Sequence, residues 1–317
     1  MGKIIAIANQ KGGVGKTTTT INLAASLTLA KQTTLVIDLD PQGNATRGMG
    51  MRPDTARGTI YHLLIGTKEW ADVVMKTDVQ GLDLIPADID LVGAEIELVG
   101  VESRETVLKR MLKGIRELYS YILIDCPPSL GLLALNGLTA ADSLLIPTQS
   151  EYYAMEGLKQ LLSTFQLLQK TLNPNLTIEG ILLTMLDKRN ILNCQVSEEI
   201  RAYFNDTVFK TEIPRNITLA EAPSHGKPII FYNPLSKGAQ AYTALAQELL
   251  GGYGEAASAT ANDPLTYVGN GQAGVMTQQE VLDRVAVASA TANGSLPSVG
   301  NGQAGVMIQQ EVLDRVA

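Results

Sequence analysis

The sequence predicts an α/β fold, a mainly parallel twisted sheet with helices on both faces, followed by a low-complexity C-terminal tail. Three observations lead there. The apolar run Ile4–Ala8 feeds directly into the glycine-rich segment KGGVGKTT at 11–18. Two more β-branched runs, TLVIDLD at 34–40 and YILID at 121–125, end in aspartates. Strand-like and helix-like segments alternate over the first 250 residues, the pattern of successive βαβ units.

The elements follow in order. Strands are expected near 3–9, 34–39, 82–86, 121–125, 143–147, 178–185 and 208–213. The 34–40 and 121–125 runs are continuously apolar rather than alternating, as suits parallel strands buried on both faces. Helices are expected near 16–31, 58–65, 90–97, 103–118, 131–140, 155–172, 193–205, 218–222 and 236–250. The first leaves the glycine loop through the threonines at 17–20. The 155–172 segment carries leucines at helical spacing and stops before Asn173-Pro174. Right-handed crossovers would join the strands.

The 11–18 segment reads as a phosphate-binding loop between a strand and a helix. The plain pattern G-x-x-x-x-G-K-[ST] would need glycine at position 10, where Gln10 stands. Instead a second lysine, Lys11, precedes Lys16 by five residues. Backbone N–H groups of Gly12 to Thr18 at a helix N-terminus cradle a polyphosphate, and the helix dipole adds to their pull. Gly12, Gly13 and Gly15 let the backbone approach without a Cβ, with Val14 between them and Thr18 after them. Lys16 would reach the β- and γ-phosphates of ATP, and Thr17 would offer its hydroxyl to Mg²⁺. Lys11, ahead of the tight turn, can reach a phosphate held by a facing subunit.

Ligands of open α/β sheets sit beyond the carboxyl ends of the strands, so Asp38, Asp40 and Asp125 should face this loop. Asp125 is the expected Mg²⁺ carboxylate, direct or outer-sphere. Asp40 is the candidate for holding the attacking water, and Asp38 the weaker candidate near Mg²⁺. Phosphoryl transfer needs mainly positioning and charge neutralisation, so a histidine base is not required.

KGGVGKTT, DLDPQGNAT (38–46), AEIELV (94–99), DCPPSLGLL (125–133), EYYAMEGL (151–158), EGILLTMLD (179–187) and IPRN…EAPSHGKPI (213–229) stand in this order. Together they resemble the ParA/Soj chromosome-partitioning ATPases, P-loop NTPases with a deviant Walker A loop. The resemblance runs from Met1 to about Leu250. It implies an ATP-bound homodimer closed across Lys11, non-specific binding of double-stranded DNA, and hydrolysis stimulated by a ParB-type centromere-binding protein. It places Pro214, Arg215 and Asn216 at the adenine, and the DNA surface on basic residues of the C-terminal half, best matched by Lys188 and Arg189. Relatives often carry arginine where this chain has Thr218, which implies weaker DNA binding. The implied setting is cytoplasmic and nucleoid-associated.

Composition bounds the alternatives. The chain has 317 residues, 45% of them hydrophobic, enough for one large core. Cys126 and Cys194 are too few for a disulfide framework, and His62 and His225 are isolated. The chain opens in a strand rather than a leader, and no apolar stretch approaches the roughly 20 residues needed to span a bilayer. The net charge of −7 does not advertise nucleic-acid binding, although a local basic patch suffices.

From 251 the composition shifts. Residues 257–287 recur as 288–317, a repeat of period 31. Each unit has a Gly/Ala/Ser/Asn-rich stretch and then a short helix candidate, 277–286 and 308–317, the first capped by Thr277 with Glu280. Residues 255–317 hold six acidic residues and two arginines, and so contribute −4 of the net −7. The tail reads either as a flexible linker or as a pair of partner-binding helices. A MinD-like membrane cycle is a further alternative, disfavoured because these segments lack the lysines of a membrane-surface helix. The same switch moving another cargo, such as a protein body, is the nearer alternative.

Overall fold

A computed structural model describes residues 2–54 and 56–251, and the backbone of 264–269 and 272–277. Seven strands form one sheet: β1 (Lys3–Ile7), β2 (Thr34–Asp38), β3 (Met75–Lys76), β4 (Leu82–Ile85), β5 (Tyr121–Asp125), β6 (Ser143–Gln149) and β7 (Thr177–Thr184). Their order is β3-β4-β2-β5-β1-β6-β7. All neighbours are parallel except β3, which pairs antiparallel with β4 at the edge. The helices are α1 (Lys16–Leu29), α2 (Asn44–Gly48), α3 (Ile60–Leu64), α4 (Trp70–Val73), α5 (Leu91–Glu97), α6 (Val107–Met111), α7 (Leu132–Ala140), α8 (Ala154–Thr171), α9 (Ile191–Phe204), α10 (Ile217–Glu221), α11 (Ile229–Tyr232) and α12 (Lys237–Leu249).

Successive strand residues point to opposite faces, and the core divides accordingly. Ile4, Ala6, Leu35, Ile37, Ile122 and Ile124 pack under α3 and α5–α9. Ile5, Ile7, Val36, Leu84, Leu123 and Leu182 pack under α1 and α10–α12. Helices therefore cover both faces, as expected. The sheet centre is β5-β1, with the loop after β1 at its carboxyl end.

Three expectations need correction, and one short strand was not expected. No strand forms over 208–213. The segment touches β7 through isolated bridges at Ile181–Val208 and Leu186–Pro214. Between them the Glu248 carboxylate of α12 accepts the N–H groups of Lys210 and Thr211, at 2.6 and 2.9 Å, which removes two donors from any ladder. The single helix expected over 103–118 is broken. Asn136 of α7 accepts the Leu108 N–H at 3.1 Å and donates to the Arg104 carbonyl at 2.9 Å. Beyond α6 the bonds tighten to three-residue turns, Lys113 to Arg110 and Ile115 to Leu112. The two-residue strand β3 was too short for any sequence period to reveal.

The tail also differs. β8 (Pro264–Gly269) and β9 (Gln272–Thr277) pair antiparallel in the first repeat, Gly269 opposite Gln272. Asn270-Gly271, which stand between them in the sequence, are a strong two-residue hairpin signal. Thr277, read as a helix cap, is the last residue of β9. The remainder of both helix candidates lies outside the described residues.

Candidate functional site

The loop between β1 and α1 is held from both sides. Asn9 accepts the Lys11 N–H at 3.0 Å and donates to the Pro147 carbonyl in β6, the neighbour of β1, at 2.8 Å. Thr184, at the end of β7, donates to the Val14 carbonyl at 2.8 Å. Gly13 and Gly15 have φ of +74° and +89°, a backbone that strains any side chain. Gly12 has no such constraint, and a Cβ there would meet nothing within 4 Å.

The two lysines diverge. Lys16 folds back over the loop, its Nζ donating to the Lys11 carbonyl at 3.1 Å, and it is only 7% exposed. Burial pushes its pKa down, and Asp125, Cys126 and Asp40 act against that. The Lys11 side chain turns outward, 43% exposed, and pairs with Glu151 in the turn after β6. Thr17 and Thr18 open the first turn of α1 and line a pocket of about 500 Å³ with Asn22, Arg47, Ser224 and Lys227.

Asp38 and Asp125 end neighbouring strands and stand in register, and both are fully buried. Thr20 Oγ1 lies 3.1 Å from Asp125 Oδ1 and 3.0 Å from the Lys16 carbonyl, so one proton serves two acceptors. Asp125 Oδ2 is buried with no hydrogen-bond partner. Burial, then the charge of Asp38, raises the Asp125 pKa, while the hydroxyls of Thr17 and Thr20 oppose the shift. A buried carboxyl oxygen without a hydrogen-bond partner, beside a hydroxyl and a phosphate cradle, fits a hard cation that would displace its proton. Mg²⁺ is ordinarily held this way, by one or two protein oxygens plus nucleotide phosphates.

Asp38 is different, because its oxygens are spent on the protein. Oδ2 accepts the Thr46 N–H at 2.8 Å and hydroxyl at 2.7 Å, and Oδ1 accepts the Asp40 N–H at 3.3 Å. Thr46 Oγ1 in turn accepts the Ala87 N–H at 3.0 Å. Asp38 thereby ties α2 and the loop after β4 to the strand end. Burial pushes its carboxyl up, and the Thr46 bonds work against the shift. Asp40 is partly exposed and opens the next turn, its Oδ1 accepting the Gln42 N–H at 2.9 Å.

Pro214 bridges Leu186 just beyond β7, and the Arg215 N–H bonds to the Leu186 carbonyl at 3.1 Å. Asn216 caps α10, accepting the Leu219 N–H at 3.0 Å, and Thr218 also donates to it. Arg215 lines a separate pocket of about 380 Å³ with Glu151, Tyr152, Asp187 and Asn193. Lys188 and Arg189 are 78% and 90% exposed, and neither stands alone. Lys188 lies 3.2 Å from Glu212, which also holds Arg201. Arg189 forms a bidentate pair with Asp187, both contacts at 2.9 Å, which holds the Asp187 carboxyl down at about 2.

Sequence reasoning missed Asn9, Thr20, Thr46 and Glu151. Thr46 and Glu151 lay inside the quoted motifs, but nothing in their spacing said which carboxylate or lysine they would meet.

Comparison with known proteins identifies relatives of this chain. An AAA-domain family profile matches residues 2–178. The sporulation initiation inhibitor protein Soj of Bacillus subtilis is 57% identical over 249 residues, 78% of this chain and 98% of that one. The chromosome partitioning protein ParA of Myxococcus xanthus is 54% identical over 250 residues, 79% and 88% of the two chains. Among solved structures, a cobyrinic acid a,c-diamide synthase of Mycobacterium smegmatis with bound ADP and magnesium superposes with a TM-score of 0.69 at 38% identity. It covers 79% of this chain and 94% of that one.

Proposed function

The chain belongs to the ParA/Soj family of ATPases, with ATP and Mg²⁺ as its cofactors, and we propose that it is an ATP-dependent dimerisation switch for chromosome or plasmid partitioning. The ATP-bound dimer binds DNA non-specifically, and a ParB-type partner stimulates hydrolysis and release. The observation that carries this reading is the divergence of the two loop lysines. Lys16 is buried against its own loop, whereas the Lys11 side chain points outward at the front, a position suited to a phosphate held by a facing subunit.

In this reading Lys16 and the N–H groups of Gly12 to Thr18 hold the phosphates. Thr17 and Asp125 hold Mg²⁺, Asp38 positions the loops around it, and Asp40 orients the attacking water. Pro214, Arg215 and Asn216 border the base. Lys188 and Arg189 meet DNA phosphates, exchanging Glu212 and Asp187 for them. Residues 1–250 form the ATPase domain and 251–317 an appended tail. The same switch positioning another cargo is the second reading, favoured by the repeat tail, which lies beyond the matched residues 2–178. Among the described residues no helix is long and apolar enough to cross a membrane.

The test is DNA co-sedimentation of the Asp40→Ala protein with ATP, ADP or no nucleotide, over a salt series, with and without 251–317. ATP-dependent, salt-sensitive binding that survives tail removal supports the partitioning switch. Absence of DNA binding in every nucleotide state overturns it.

A further inference from the structure

The lysine on which dimer closure depends is already engaged in the free protomer. The Lys11 backbone is fixed at both polar groups, its N–H on Asn9 and its carbonyl under Lys16 Nζ. Only the side chain can move, and its ammonium lies on the Glu151 carboxylate. Glu151 is itself well placed to hold it. It sits in the tight turn between β6 and α8, where its N–H bonds to the Gln149 carbonyl and its carbonyl accepts from Ala154. The preceding residue, Ser150, is tied to α9 through Asn193, which donates to its carbonyl at 2.7 Å. Next in the chain stand Tyr152 and Tyr153, 74% and 69% exposed and packed edge to face.

We propose that Glu151 is the resting partner of Lys11, and that ATP-driven dimerisation must first transfer the Lys11 ammonium from this carboxylate to the facing subunit's nucleotide phosphate. The inference rests on the dimer reading above. Glu151 is then a positioning residue. It keeps Lys11 extended along the protomer surface, near where it is needed, and sets the protein concentration at which ATP closes the dimer. Both pairs of a dimer are surrendered on closure. Exposed ion pairs of ordinary strength, taken twice, amount to about a 2- to 30-fold shift in the dimerisation constant.

The experiment is sedimentation velocity with saturating Mg²⁺ and ATP in the Asp40→Ala background, so that ATP persists, comparing Glu151, Glu151→Gln and Glu151→Asp. Gln removes the charge. Asp keeps the charge but withdraws it from Lys11 by one methylene. The expected result is that both variants dimerise at concentrations about 2- to 30-fold lower. If only Gln does so, the carboxylate acts by repelling the incoming phosphates, and the resting-partner role is overturned. Dimerisation unchanged or weakened in both variants also overturns it. If the parent protein forms no ATP-dependent dimer, the dimer reading itself has failed, which is a distinct outcome.

Discussion

Asp38 and Asp125 face each other across adjacent parallel strands, at the last residue of β2 and of β5, with neither side chain reaching solvent. Two carboxylates in that position repel, and burial disfavours the charge of both. Asp38 is compensated by three protein donors, whereas Asp125 retains a bare oxygen. The asymmetry divides the pair into a carboxylate satisfied by the protein and one with an oxygen left for the cation proposed above.

The pair should make nucleotide-free stability pH-dependent. Both carboxyls are raised in the folded protein, so above about pH 4 the folded state retains protons that the unfolded chain has released. The stabilisation is complete below the unfolded pKa and is lost as pH rises through the raised folded values. Urea midpoints without nucleotide should therefore fall from pH 5 to pH 8, and Asp125→Asn should flatten that slope.

Asp125→Asn should also stabilise the nucleotide-free protein at pH 9, by about 1–3 kcal/mol, because above its raised pKa of about 8 the buried unpaired carboxylate is replaced by a neutral amide. Calorimetric titration should show the same variant losing the Mg²⁺-dependent part of its ATP affinity. A destabilised variant would mean that Asp125 is already satisfied in the free protein.

Gly12→Val should leave the protomer intact, within about 0.5 kcal/mol, because a Cβ there meets nothing and the backbone is unstrained. It should abolish ATP-dependent dimerisation by placing a side chain at the subunit face. Thermal melts and sedimentation separate the two effects, and a Gly12→Val dimer would show that the loop does not lie at that face.

Gly226→Ala should destabilise by about 2–4 kcal/mol. Its Cβ would fall 2.5 Å from Gly50 Cα, at a φ of +63°, where the loop after α2 crosses the 213–229 segment backbone to backbone. Denaturant unfolding checks this, and a neutral result would mean that the crossing opens freely.

Arg189→Ala should lower the salt dependence of DNA binding by about two ions per dimer, one per protomer. Asp187→Asn should strengthen binding at low salt, because Arg189 no longer has to leave its bidentate partner. An unchanged salt slope in Arg189→Ala would place the DNA surface elsewhere.

Much of the architecture was legible because it follows from local pattern. Continuous apolar runs at 34–38 and 121–125 mark strands buried on both faces, and the glycines of 12–15 mark a turn that few other residues could make. Elements failed where a remote side chain intervened. Asn136 broke the expected 103–118 helix from α7, and Glu248 of α12 took the donors that 208–213 would have used as a strand. Neither partner is near in sequence, so no period or cap could announce it.

By itself the sequence determined the sheet-and-helix alternation, the phosphate loop with its two lysines, and the three aspartates at or just past strand ends. These depend on backbone sterics, hydrophobic period and the carboxyl-end rule for open sheets. Only the tertiary structure decided which groups meet. It set Lys16 inward and Lys11 on Glu151, gave Asp38 to Thr46 while leaving Asp125 bare, and paired Lys188 and Arg189 with carboxylates. The physical reason is that charge and hydrogen bonding act over a few ångströms of space, and folding brings residues 140 positions apart within that range.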